Sequence, residues 1–115
     1  MAGAQISTRR TDDVVILDLE GRLVLGAATE SLGNALQEAV AKGARRLLLN
    51  MKGVTQVDTT GISTIVRAFV SLQRSGGKLG LFHVSDRVRQ ILDLTRLLNV
   101  IPSSADEAEA LAKIR

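Results

Sequence analysis

The chain has 115 residues, 15 basic against 12 acidic side chains, and 45% hydrophobic residues with only two aromatics, Phe69 and Phe82. That is enough for one domain, residues 1–115, with a core of Leu, Ile, Val and Ala. The lack of cysteine excludes disulfides and thiol chemistry, and a net charge of only +3, spread along the chain without stacking aromatics, argues against a nucleic-acid binder.

"QISTRR" and "VVILDLEG" read as two strands joined by the polar turn "TDD", a hairpin. In the second strand Val15, Leu17 and Leu19 share one face, Asp18 and Glu20 the other, and Gly21 is expected to end it. "RLVLGAAT" bridges to a helix over "ESLGNALQEAVAK", where Leu32, Leu36, Ala39 and Val40 recur at helical spacing and Gly43 is the stop. "RRLLLNM" follows; three consecutive leucines suit a strand buried on both faces. The loop "KGVTQVDTT" leads to a helix carrying Ile62, Ile65, Val66, Phe69, Val70 and Leu72, stopped by "RSGG". "KLGLFHV" is a strand. Ser85 caps a third helix with Val88, Ile91, Leu92 and Thr95, "NVI" is a short last strand, and Ser104 with Glu107 forms a capping box for "ADEAEALAKI". The order β-β-α-β-α-β-α-β-α predicts an α/β sandwich: a mixed, mostly parallel sheet of about five strands, the first antiparallel, with about four helices.

The start "MAGAQISTRR" has no signal-like apolar core, and no apolar run nears the ~18 residues of a membrane span, so the expected location is the cytoplasm. His83 is the sole histidine and lies within a strand pattern without the partners a catalytic triad needs. No cluster has metal-ligand spacing, so no metal or other cofactor is expected. "SGGKLG" precedes a strand, whereas a phosphate loop leaves one and opens a helix. No catalytic set emerges, and the chain is not expected to be an enzyme.

One segment stands out. "VDTTGIS" follows a buried strand and opens a helix. Asp58 suits an N-cap, Thr59 and Thr60 take the first helical positions, and Gly61 lets another surface approach the backbone. On spacing alone the threonines are equally ordinary first-turn residues. Loops at strand C-terminal ends are where α/β sheets meet ligands and partners, and a phosphate placed beside Asp58 would repel it and alter any docked surface.

With "LDLEGRL", "RRLLLNMKGVTQVDTTGIS" and "RSGGKLGLFHVSDRVRQILDLTRLLNVI" in this order, the chain resembles the STAS domain of anti-sigma factor antagonists (anti-anti-sigma factors) over about Val14 to Ile114. The resemblance implies a partner switch. The antagonist binds an anti-sigma factor that is also a serine/threonine kinase of ATPase fold, frees the sigma factor, is phosphorylated, lets go, and is reset by a phosphatase. Carried over, the phosphoacceptor is Thr60, with Asp58, Thr59 and Gly61 as neighbours. The partner surface is Arg22, Leu23, Val24, Leu25, Gly26, Ile62, Ser63 and Arg67. Core packing is the competing reading for Leu23 and Leu25. The chain departs from the family in having Thr60 where serine is commoner and Val24 where an acidic residue is usual. The alternative is a non-switching STAS scaffold or adaptor in a stressosome-like or lipid-transport complex.

Overall fold

In the computed structural model, which describes residues 5–96 and 99–115, the chain forms a five-stranded sheet in the order β1-β2-β3-β4-β5. The elements are β1 Gln5–Thr11, β2 Val14–Leu23, α1 Ala27–Ala41, β3 Arg46–Val57, α2 Thr59–Arg74, β4 Lys78–Phe82, α3 Asp86–Leu94, β5 Ser103–Ser104 and α4 Glu107–Ile114. The β1–β2 pair is antiparallel and the other pairs are parallel. This is the mixed sheet with four helices expected from the sequence.

The leucine run does what a doubly buried strand requires. Leu47 and Leu49 join the larger core with Val15, Leu17 and Leu19 and with the buried faces of α1, α2 and α3. Leu48 points the other way, into a smaller core with Val14, Ile16, Phe82, Ala110 and Ile114, which α4 covers. Both α1 and α2 end in Schellman caps. The amides of Gly43 and Ala44 donate to the carbonyls of Val40 and Ala39, those of Gly76 and Gly77 to Gln73 and Leu72, and Gly43 and Gly76 take the positive φ that this geometry needs. Ser85 caps α3 as expected, its hydroxyl accepting from the Val88 amide.

Several boundaries differ from the sequence reading: α1 already begins at Ala27, inside the expected bridge, and β4 ends at Phe82, short of His83 and Val84. Gly21 does not end β2, which continues to Leu23, and "KGVTQV" is not a loop but the second half of β3. The register explains why. Between Asp18 and Glu20 β3 advances from Asn50 to Gly53, and between Gly21 and Arg22 it advances from Val54 to Gln56, so β3 carries an extra residue at each place. Its buried positions become Met51, Val54 and Val57, a spacing of three that matches no strand pattern. "NVI" is not a strand: Ile101 is buried, but pairing falls on Ser103 and Ser104. The Leu81 amide donates to the Pro102 carbonyl at 2.9 Å, and the preceding rung would need an N–H from residue 102, which proline lacks. Ser104 therefore sits buried in β5, and α4 is capped by Asp106, whose Oδ1 accepts from the Glu109 amide at 2.9 Å. His83 lies just past the end of β4 with φ 55°.

Candidate functional site

The site lies where β2 and β3 hand over to α1 and α2. β2 and β3 run in parallel to a common end, Leu23 beside Val57. One residue on, Asp58 joins both chain segments. Its Oδ1 accepts from the Gly61 amide at 3.0 Å and its Oδ2 from the Leu25 amide at 2.9 Å, while its own amide donates to the Leu23 carbonyl at 3.2 Å. The carboxylate is thus an N-cap for α2 and a tether for the loop before α1. Hydrogen bonds from these two amides, Gly61 first, hold its pKa below the usual carboxylate value.

Gly61 has a specific reason to be glycine. A Cβ there would lie 2.4 Å from the Leu23 carbonyl oxygen and 3.2 Å from a Val57 methyl. The surface that approaches its backbone is the chain's own β2 terminus. Deleting one side chain brings the two helix-bearing segments together.

The loop 24–26, α1 and α2 enclose a groove. Leu25, Gly26 and Thr29 form one end with Thr60, and Val40, Ala41 and Ser71 the other. Its walls repeat a spacing. α1 presents Glu30, Asn34 and Gln37, and α2 presents Thr60, Thr64 and Arg67, each set at i, i+4, i+7. The helices approach near Gly33, where a Cβ would lie 3.7 Å from the Thr64 methyl carbon. The Thr64 hydroxyl donates to the Thr60 carbonyl at 2.9 Å, so it is already committed. Among the described residues, neither the Thr60 hydroxyl nor the Arg67 guanidinium has a side-chain partner.

The structure separates the expected site residues. Thr60, Leu25, Gly26 and Arg67 meet in the groove. Thr59 and Ser63 are exposed on α2 outside the groove lining, and Val24 is half-buried. Leu25 is 76% exposed, so for it the surface reading holds over core packing. Leu23 and Ile62, expected on the partner surface, are core residues instead: Leu23 is fully buried and Ile62 nearly so, and both pack in the larger core. Arg22, next to the inward-facing Leu23, sits on the opposite side of the strand and bonds Gln56 Oε1 at 3.0 Å. It does not line the groove. Sequence reading missed the α1 wall. The polar series Glu30, Asn34, Gln37 beside the buried stripe Leu32, Leu36, Ala39 was the available signal, and only the neighbouring helix gives it meaning.

No group of three or more His, Cys, Asp or Glu side chains among the described residues is arranged to hold a metal ion. No described helix is long and apolar enough to cross a membrane.

The STAS domain model matches residues 5–110, and the chain belongs to that family. An anti-sigma-B factor antagonist of Listeria monocytogenes is 30% identical over 105 residues, spanning 91% of this chain and 90% of the relative. The crystal structure of an anti-sigma factor antagonist from Mycobacterium paratuberculosis superposes with a TM-score of 0.89 at 18% identity, covering 98% of this chain and 95% of that one. The Bacillus cell fate determinant SpoIIAA in its phosphorylated form superposes with a TM-score of 0.74 at 20% identity, covering 96% and 100%. At such identities the two structures establish the fold.

Proposed function

We propose that the chain is an anti-sigma factor antagonist: unmodified, it docks on an anti-sigma factor kinase through the loop 24–26 and the start of α2, and phosphorylation of Thr60 ends the complex. The observation that carries this reading is the division of labour in "DTTG". Asp58 and Gly61 are consumed in holding the junction together, whereas Thr60 lines the groove and its hydroxyl has no side-chain partner among the described residues. Thr59 is exposed but outside the groove lining, so Thr60 is the hydroxyl a partner seated on the groove would meet. The family relation and the relatives' role as antagonists support the same assignment. Exposed Leu25 supplies apolar area beside it.

In the modification step, the Thr60 oxygen forms a bond to the γ-phosphorus of the kinase's ATP. The bond from that phosphorus to the bridging oxygen breaks, ADP leaves, and the hydroxyl proton passes to a base of the kinase. About −1.5 to −2 charges then stand on a side chain that had none, in a groove that already holds Glu30. A phosphatase resets the hydroxyl. The chain contributes position and no catalytic group, and the ATP belongs to the kinase.

Binding titrations against a cognate anti-sigma kinase test this. Thr60→Glu should weaken binding at least tenfold, ~1.4 kcal/mol, while Thr60→Ala should bind like wild type and resist release by ATP. Wild-type affinity for Thr60→Glu together with undiminished ATP release of Thr60→Ala would overturn Thr60 as the switch.

A further inference from the structure

We infer that Arg67 is the internal partner of a phosphate on Thr60. Once Thr60 is modified, the guanidinium folds back along α2 onto the phosphate, so that modification both adds a negative charge and withdraws a free cation from the docking groove. This rests on the reading of Thr60 as phosphoacceptor and extends it to the rest of the groove.

Three observations place Arg67 in that role. Thr60 and Arg67 line the same groove on one face of α2, two turns apart. Seven residues of helix span ~10.5 Å. A long helical side chain leans toward the N-terminus of its own helix, that is, from position 67 toward Thr64 and Thr60. Nothing engages Arg67 first, since it has no ion pair among the described residues and the intervening Thr64 hydroxyl is bonded to the Thr60 carbonyl. Arg67 is also the one cation among the groove's described lining residues. A planar guanidinium suits bidentate contact with a phosphate.

The other charged groups around position 60 act in the opposite direction. Glu30 lines the groove from α1, and Asp58 lies at the β3–α2 junction with both oxygens taken by the amides of Leu25 and Gly61. Both carboxylates disfavour a phosphate dianion, and only Arg67 among these side chains favours it. The consequence for docking is a double change. A partner carboxylate that pairs with Arg67 in the unmodified chain loses that cation at the moment it meets the new phosphate.

The test needs no kinase. Phosphothreonine is installed at position 60 of the full chain during synthesis, and phosphorus NMR follows its second ionisation, ordinarily near pH 6. In the wild-type background that ionisation should lie about half a unit or more below its value in Arg67→Gln, because a nearby opposite charge favours the dianion. Arg67→Lys should recover part of the shift. Arg74→Gln, in the last turn of the same helix, should leave the wild-type value in place and serves as the control for the general field of the protein. Identical titrations of wild type and Arg67→Gln overturn the inference, and so does an equal effect of Arg74→Gln. Failure of every kinase to modify Thr60 would instead overturn the proposed function, and the titration would still decide the geometry.

Discussion

The two faces of the sheet spend their polar groups differently. On the α4 side, polar side chains satisfy one another. Arg9 Nε and Nη2 reach Asp18 at 2.6 and 3.1 Å, Nη2 reaches Glu107 at 2.5 Å, and Asn50 donates to Asp18 at 2.8 Å. This cluster links β1, β2 and β3 to α4 beside the smaller core, and Arg46 adds bonds to Asp13 and to the Ile114 carbonyl at the end of α4. At the junction of β2 and β3 with α1 and α2, one carboxylate is turned inward onto backbone amides, while Thr60 and Arg67 are left facing a groove. A closed network adds little beyond stability, whereas unspent donors and acceptors around a groove are available to a partner. The contrast supports the proposal that a partner docks on the α1–α2 side.

That contrast can be broken, first through the cores. Phe82→Ala, in the fully buried smaller core, should cost about 3–5 kcal/mol in denaturant unfolding, with partner affinity unchanged for the fraction that stays folded. Gly61→Ala should cost about 2–3 kcal/mol, because its Cβ meets a backbone oxygen that cannot swing aside. Unlike Phe82→Ala it should also abolish docking of the folded fraction, since the loop 24–26 must move. If the two variants lose stability but equally retain affinity, the junction is mere scaffolding.

Acid sharpens the comparison further. Hydrogen bonding to Arg9 holds Asp18 and Glu107 below their usual carboxylate values, and amides do the same for Asp58. Each folded-state value lies below the unfolded one. The stability they contribute is therefore present at neutral pH and is lost as the pH falls through the carboxylate range, because protons then favour the unfolded chain. Arg9→Gln should remove about 1 kcal/mol or less at pH 7, since these side chains are part-exposed, and should flatten the loss between about pH 5 and pH 3 without altering docking. Asp58→Asn should lower the melting temperature at pH 7 and weaken docking together. The smallest effect belongs to Thr59→Ala, which should stay within about 0.5 kcal/mol of wild type and remain a substrate for phosphorylation.

The legible parts of this molecule were those where one local pattern sufficed. Leu47–Leu48–Leu49 announced a strand covered on both sides, Asp58 announced a helix start, and the glycines after α1 and α2 announced their ends. What failed had a non-local cause. The half of β3 beyond Asn50 was hidden because two bulges turn its period from two to three, and they exist only in register with β2. Ser104 has the capping-box spacing to Glu107, but pairing with Phe82 takes it into the sheet and leaves the cap to Asp106. Val14 and Ile16 alternate with Val15 and Leu17 in an unbroken apolar run, and the second core they serve became visible only once α4 was seen to cover it. Within the site, Leu23 and Ile62 carry the motif's neighbourhood in sequence but face the core. Arg67 is named by the family resemblance, but its alignment with the polar edge of α1 comes from a spacing that two helices share and no single segment displays.

Mapping phosphate on the chain after incubation with ATP and candidate anti-sigma kinases, by intact-mass and peptide mass spectrometry, tests the central claim most directly. The account predicts one added phosphate, located on Thr60 and absent from Thr60→Ala. A phosphate on Thr59, or a kinase that binds the chain through this groove and transfers none, would contradict it.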